Sequence, residues 1–250
     1  YKVMKEDFTD FIEVSGLLNY DPDTIAKIYK KNPQRLLKRL WQTLIPIFAY
    51  IFAVGWDKLT GRLKNQAKAR CRAKELTNLL VKLGPAFVKA GQALSTRPDI
   101  IPVILLEELS ELQDQLPGFD GNKAMELIEE DLGSKINEIF LEIDQEPISA
   151  ASLGQVHKAK LKNEEVVAVK VQRPGLREQI TLDLYIVRNI AYWLKNNIGL
   201  IRSDLVALID ELGKRVFEEM DYLNEAKNAE KFRNMHKHNQ MIAVPKIYKE

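Results

Sequence analysis

A chain of 250 residues that is 46% hydrophobic and 29% charged is long and apolar enough to bury a substantial core, as one large domain or two small ones. Its formal charge of +2 is the small difference between 37 basic and 35 acidic residues, so no global field draws it to nucleic acid or anionic lipid, and any partner surface must be local. The single cysteine, Cys71, excludes an internal disulfide and a cysteine-based metal site; it suits a reducing compartment and a place in a helix.

The chain opens on YKVMKEDFTDF, which carries acids and no apolar core, so no signal peptide is read there. The strongest apolar run is LIPIFAYIFAVGW, from Leu44 to Trp56, short of the roughly 20 residues that a membrane-spanning helix needs. On its own it is not expected to cross a bilayer. Trp41 and Trp56 bracket the run, and Lys38, Arg39, Lys58 and Arg62 flank it. Two readings stay open, a buried helix or an interfacial helix that faces a membrane. Residues 1–63 are taken as one N-terminal helical region.

From Asp57 to Lys82 the sequence predicts a long basic helix, stopped at Gly84-Pro85, with Pro85 suited to the first turn of a following helix that carries FVKAGQALS. Pro98 and Pro102 mark the next break. VILLEELSELQDQL then repeats apolar residues every three or four positions, as an amphipathic helix does. Asp120 is placed to cap GNKAMELIEEDLG, which Gly133 ends. No strand signal, internal repeat or low-complexity tract interrupts this stretch, so residues 64–142 read as a helical extension.

The pattern changes at Pro147. ISAASLGQVHKAKL and EEVVAVKVQ, two β-branched runs around Lys162-Asn163-Glu164, predict an antiparallel strand pair. After Pro174, helices are expected from about Leu176 to Lys195 and from about Asp204 to Arg233, with Ser203 as a cap; the closing AVPKIYKE reads as a further strand. Helices, then a few antiparallel strands, then helices make an α+β fold.

Strand, small-residue turn, strand, tight turn and a strand ending Val-Ala-Val-Lys is the layout of a kinase small lobe. There the backbone of a glycine-rich GxGxxGxV loop approaches the phosphates and a lysine of the third strand pairs with them. With Gly154 and Val156 on the last Gly and Val, Ser149 and Ala151 take the first two glycine positions; alanine restricts positive φ, so a stiffer turn is expected. An ordinary small-residue hairpin gives the same signal. Lys170 closes an apolar strand and reads either as a strand-end lysine reaching water or as one that meets a carboxylate from a nearby helix. The run FEEMDYLNEAKNAEK offers Glu219, Asp221, Glu225 and Glu230. Asp221 and Glu225, four apart, share a helical face that either meets a cation or is simply solvated. Lys89 and Gln92, three apart among Ala86, Ala90, Gly91 and Ala93, lie on a helix able to pack closely with its polar ends snorkelling. His157, His236 and His238 show no metal-ligand spacing and are expected at the surface.

Taken together, KAGQALSTRPDIIP, PISAASLGQVHKAKL, VAVKVQRPG and EEMDYLNEAKNAEKF resemble, in this order, the UbiB (AarF) family of atypical kinase-like proteins, over about residues 64–250. The resemblance implies a truncated kinase-like N-lobe over residues 143–250, preceded by the extension. It implies that Lys89 and Gln92 belong to a lysine-x-Gly-Gln motif folding over the nucleotide site. Ala150, Ala151 and Ser152 become an alanine-rich loop, completed by Gly154 and Val156, although Ser149 stands where many relatives have a further alanine. Lys170 resembles the lysine that contacts the α and β phosphates, Glu225 its ion-pair partner on the C helix, and Glu219 and Asp221 a Glu-x-Asp motif that engages the lysine-x-Gly-Gln helix.

No catalytic loop with an aspartate base and asparagine, and no Asp-Phe-Gly segment, occurs in these 250 residues. The large lobe is therefore missing from the chain, no metal ligands are expected within it, and magnesium ligands are expected beyond residue 250. Phosphoryl transfer relies on positioning and metal charge, so the chain alone is expected to be inactive. For the whole protein the resemblance implies binding of ATP or ADP with magnesium and an ATPase or unorthodox kinase activity linked to isoprenoid quinone or other prenyl-lipid metabolism. The implied setting is intracellular, cytoplasmic or plastid-like, and peripheral to a membrane. A helix across the site favours a small or lipid substrate over a protein. Two alternatives stand beside this reading: a pseudokinase-like scaffold, and a membrane-surface module built on Leu44 to Trp56. Nucleic acid is a poor fit, because bases and acids are interspersed with no aromatic platform.

Overall fold

The computed structural model describes residues 14, 16–99, 101–113, 116–198 and 204–248; the opening YKVMKEDFTDF and the expected cap Ser203 lie outside them. Capping chemistry sets the first helices. Asp21 accepts the N–H groups of Asp23 (3.0 Å) and Thr24 (3.4 Å) to start α1, Pro22–Lys30. Then α2, Pro33–Leu59, ends where the Thr60 hydroxyl donates to the Trp56 carbonyl at 2.8 Å and Gly61 turns left-handed at φ 70°. Asn65 caps α3, Gln66–Leu83, by accepting from the Ala67 N–H at 2.9 Å. The expected helix from Asp57 to Lys82 is thus two, with a 3-10 turn at Arg62–Lys64 between them. Asp57 fastens the junction. It is buried and meets Arg72 Nε at 2.6 Å, and that contact holds its carboxyl below the usual carboxylate range.

The apolar run of α2 is not buried, which overturns the first of its two readings. Trp41, Ile45, Phe48, Phe52, Trp56 and Leu59 recur at three or four positions along one face and are 53–82% exposed, while the buried residues of the helix are Thr43 and Asp57. Leu36 and Leu40, on its other side, pack against the core between α1 and the later helix Leu176–Ile198. The run also lies inside a 27-residue helix, which by length and composition is long and apolar enough to cross a membrane.

Gly84, at φ 114°, separates α3 from α4, Pro85–Ser95. A Cβ at Gly91 would come within 2.6 Å of Leu112 and 2.8 Å of Leu80, so its absence lets α4 lie against α3 and against the segment after α5, Val103–Ser110. That last helix is shorter than predicted. A 3-10 turn, Glu111–Gln113, follows it and buries Leu112 with Val88 and Leu109. By contrast α6, Gly121–Leu132, has the expected ends: Asp120 accepts from the Asn122 N–H at 2.7 Å and Gly133 turns at φ 65°.

A single helical turn, α7 (Ile136–Ile139), leads into β1, Phe140–Ile143, where the sequence reads helix. Its signal is weak because only Phe140 is buried; the strand is defined by pairing, with Phe140 opposite Leu161 of β3, Gly154–Leu161. That third strand is the spine of the sheet. Along one edge it pairs antiparallel with β4, Val166–Gln172, from Gly154 opposite Gln172 to Lys160 opposite Val166. On the other edge β1 and β2 (Ser149–Ala150) follow one another. The β3–β4 turn falls where predicted, with Glu164 left-handed at φ 69°. One sheet face packs Phe140, Ala159 and Val171 on Ala124, Met125 and Ile128 of α6. His157 is buried rather than at the surface; its Nδ1 lies 2.8 Å from the Asp144 carbonyl and its Nε2 3.0 Å from the Gln155 amide, so both ring nitrogens are satisfied.

The chain then forms α8, Leu176–Ile198, as expected. The single helix predicted from Asp204 to Arg233 is instead α9, Leu205–Met220, capped by Asp204, and α10, Tyr222–His236, capped by Asp221. AVPKIYKE, through Tyr248, pairs with no strand among the described residues: Pro245 has no N–H for a ladder, and the Tyr248 hydroxyl donates to Glu165 at 3.0 Å. The fold class is α+β, as expected.

A buried ion pair joins the N-terminal helical region to the lobe. Arg39 of α2 reaches Asp183 of α8 through Nε at 2.6 Å and Nη2 at 2.8 Å, and also donates to the Leu83 carbonyl ending α3. The Asp183 side chain is 0% exposed, and burial pushes its carboxyl up against the opposing pull of Arg39. Truncating one partner of such a pair strands the other charge. Arg39→Met should therefore cost about 3–5 kcal/mol in urea unfolding, whereas Arg97→Met, whose partner Asp99 is exposed, should leave the midpoint in place; equal shifts would refute the role given to Arg39.

Candidate functional site

The second face of the sheet carries charge. Along β4, Val167, Val169 and Val171 turn to the α6 core, which puts Lys170 on the opposite side. The start of α10 is held over that side because Gln172 Nε2 donates to the Met220 carbonyl at 2.9 Å. One turn into α10, Glu225 accepts Lys170 Nζ on both oxygens, at 2.9 and 2.6 Å. The ammonium also lies 4.3 Å from the centre of the Tyr222 ring. With side chains 43% and 57% exposed, the pair faces open space.

The alanine-rich turn forms the next wall. Ser149 pairs with Val156 and Ala150 with Gln155, and the Ala151 N–H donates to the Gly154 carbonyl at 2.8 Å to close it. Its tip is buried: Ser152 and Leu153 are each 5% exposed, and Leu153 joins a core with Ala86, Leu176, Ile180, Val216 and Met220. Arg173 fixes the turn from behind, its backbone N–H donating to the Leu153 carbonyl at 3.0 Å and its guanidinium to the Ala151 carbonyl at 3.0–3.1 Å. Gly154 serves close approach: a Cβ there would lie 2.4 Å from the Val171 carbonyl oxygen and 2.6 Å from the Tyr222 hydroxyl. Val156 stands opposite Lys170 in register.

The third side is α4. Ala86 is in the core, and Lys89 reaches Glu219 near the end of α9 in an ion pair. Gln92 turns away from the cavity, its Nε2 donating to the Leu112 carbonyl at 2.7 Å. Asp221 does not engage α4 either. The helix breaks at this residue, and its carboxylate accepts the Asn224 N–H at 2.9 Å as an N-cap, so of the two acids only Glu219 meets Lys89. Lys89, the turn, Lys170, Glu219 and Glu225 line one cavity of about 520 Å3.

Tyr222 escapes the sequence reading. Its ring supports Lys170, its hydroxyl is buried without a partner among the described residues, and burial, with the Glu225 carboxylate adding to it, pushes the phenol up to about 12. The available signal was its three-residue spacing from Glu225. Among the described residues no group of His, Cys, Asp and Glu could hold a metal ion.

The division of labour between Glu219 and Asp221 is measurable. Lys89→Gln and Glu219→Gln should be non-additive in stability by roughly 0.5 kcal/mol. Asp221→Ala should cost about 1 kcal/mol of helix capping and add independently to Lys89→Gln. Coupling of Lys89 to Asp221 instead would reverse the assignment.

Comparison with known proteins identifies the family. A family model described as the ABC1 atypical kinase-like domain matches residues 111–250. The chain is 50% identical to sll0005, an uncharacterized protein of Synechocystis sp., over 92% of this chain and 33% of that protein. It is 48% identical to an aarF domain-containing protein kinase of Arabidopsis thaliana, At1g71810, named as chloroplastic, over 95% of this chain and 34% of that protein. A solved complex structure of Rv3197 with erythromycin, from Mycobacterium tuberculosis, is 30% identical, with 76% of this chain and 49% of that chain covered and a TM-score of 0.43. The chain thus spans about a third of the length of these curated relatives. It belongs to the ABC1 atypical kinase-like family, the aarF-type proteins that its motifs resemble.

Proposed function

We propose that this chain forms the nucleotide-binding half of an atypical kinase or ATPase, with Lys170 on the phosphates of ATP or ADP. The observation that carries this reading is the Lys170–Glu225 pair facing a cavity of about 520 Å3 between the alanine-rich turn and Lys89. An ammonium held by one carboxylate and half open to solvent keeps a donor for a second anion. Glu225 orients it, and the Tyr222 ring supports it from the side. The turn contributes shape: Ala151, Ser152 and Gly154 line the cavity as a fixed wall for the nucleotide, with Ala150 and Val156 in the ladder beside it, since Leu153 anchors the tip. Magnesium supplies charge neutralisation at the transferring phosphoryl group, and we place its ligands beyond residue 250.

The link to quinone or prenyl-lipid metabolism rests on the family resemblance, and an intracellular, plastid-like setting on the cyanobacterial and chloroplastic relatives. Because the Lys89–Glu219 bridge holds α4 beside the cavity, the acceptor is proposed to be small or lipidic. Calorimetry with ATP and ADP, with and without magnesium, tests the site. Magnesium-dependent binding is expected, weakened at least about tenfold by Lys170→Met, with no phosphoryl transfer by these 250 residues alone. No binding by either protein would leave the scaffold reading, and efficient peptide phosphorylation by the full-length protein, lost on Lys170→Met, would remove the lipid acceptor.

The exposed stripe of α2 supports a second, compatible role at a membrane surface. Trp41, Phe48, Phe52 and Trp56 face outward with Lys38, Lys58 and Arg62 beside them. The other side is tied to α3 and α8 through Asp57 and Arg39, so the helix is proposed to lie in the interface. In liposome flotation the protein should rise with anionic vesicles, and Phe48→Asp with Phe52→Asp should stop it. Failure of the wild type to float with anionic or neutral vesicles would end this reading.

A further inference from the structure

A second cavity, of about 350 Å3, lies behind the alanine-rich turn, between the α3–α4 elbow and the start of α8. Val81, Val88, Leu116, Phe119 and Leu176 make its walls apolar; among the described residues its charged lining is Lys82 and Arg173, with no acidic side chain. Arg173 is half-buried and, among the described residues, its guanidinium bonds carbonyl oxygens alone, those of Ala151 and Pro117, and lies 5.8 Å from the Phe119 ring. Arg39, Arg72 and Arg188 are matched by carboxylates, Asp183, Asp57 and Asp210, whereas Arg177, one turn along at the start of α8, is partly buried with no ion pair among the described residues either. Among the described residues neither Arg173 nor Lys82 has such a match. A guanidinium removed from water without a counter-charge is costly, and burial accordingly pulls Arg173 below the usual arginine range. The cavity is also where α4 and α8 begin, at Pro85 and Leu176, so the positive ends of two helices add to the field.

We propose that this cavity binds an anionic amphiphile, its head group on Arg173 and Lys82 and its apolar body against Val88, Phe119 and Leu176. A bare anion would leave the apolar walls unfilled, and a neutral chain would leave the guanidinium unmatched. The volume lies near the lower end of ligand pockets, roughly 300–1,000 Å3, which suits one medium-length chain and excludes a diacyl lipid. The site stands without the nucleotide reading, yet the two cavities share a wall at Ser152. Because Arg173 also holds the Ala151 carbonyl, a head group that draws the guanidinium away loosens the turn on its other side.

The test titrates monomeric dodecyl phosphate and dodecanoate into the nucleotide-free protein, with dodecyl maltoside and inorganic phosphate as controls, by calorimetry and amide NMR. Saturable binding of the anionic chains alone is expected, with shifts at Val88 and at Ala151 to Gly154; the preference between the two chains identifies the head group. Val88→Trp, which fills the cavity, should abolish binding. Arg173→Gln, checked for folding by its thermal melt, should weaken it about tenfold, and Lys82→Gln, at an exposed position, should weaken it in a fold that is not in question. Phe48→Asp with Phe52→Asp on α2 should leave it unchanged. Equal affinity for the maltoside, or binding that survives Val88→Trp and is lost in the α2 variant, would overturn the proposal.

Discussion

Burial of Leu153 is the constraint on which the site depends. It stands at the tip of a turn that would otherwise be free, yet shares one core with Ala86 of α4, Leu176 and Ile180 of α8, and Val216, Phe217 and Met220 of α9. Burying a leucine is worth about 1.5–3 kcal/mol, and the Arg173 bonds to Ala151 and Leu153 act in the same direction. One side chain therefore ties the sheet to three helices. The end of α9 follows from that docking, and with it the positions of Glu219 before the break at Asp221 and Glu225 after it.

The charged groups divide by depth. Arg39 and Asp183 meet in the interior, where losing either partner strands a charge, so the pair holds α2 to α8. Lys170 and Glu225 meet in the open, where an ion pair contributes little to stability and stays available to another anion. Lys89 and Glu219 are intermediate, 18% and 49% exposed, and bridge the extension to the lobe. On the proposed reading the strong pair positions the helices and the weak pairs do the binding.

The N-terminal helical region is more than a cover. Its second helix is two-sided, with one side fixed by Arg39 and by the Tyr50 hydroxyl on the Arg72 carbonyl at 3.1 Å, and the other carrying the exposed aromatic stripe. The α3–α4 elbow meets the lobe at Arg173 and Ser152, so the alanine-rich turn borders the Lys170 cavity on one side and the extension on the other.

Features that depend on a few neighbouring residues were legible in the sequence. The Asp120 cap, the Gly133 stop, the Pro85 start, the β3–β4 turn and α8 all follow from local capping, turn chemistry and periodicity. The sequence also determined that Lys170 needed either water or a carboxylate; which of the two, and from 55 residues away, was settled by where α10 docks. Only the tertiary structure decided the rest. The strand β1 exists through its partner β3, His157 is buried because Asp144 and Gln155 satisfy its ring, and Asp221 caps a new helix where Gln172 holds the Met220 carbonyl. The apolar period of α2 established that the helix has an apolar face, but a period carries no information about what stands opposite, and only the packing of α1, α3 and α8 on its other side left that face exposed.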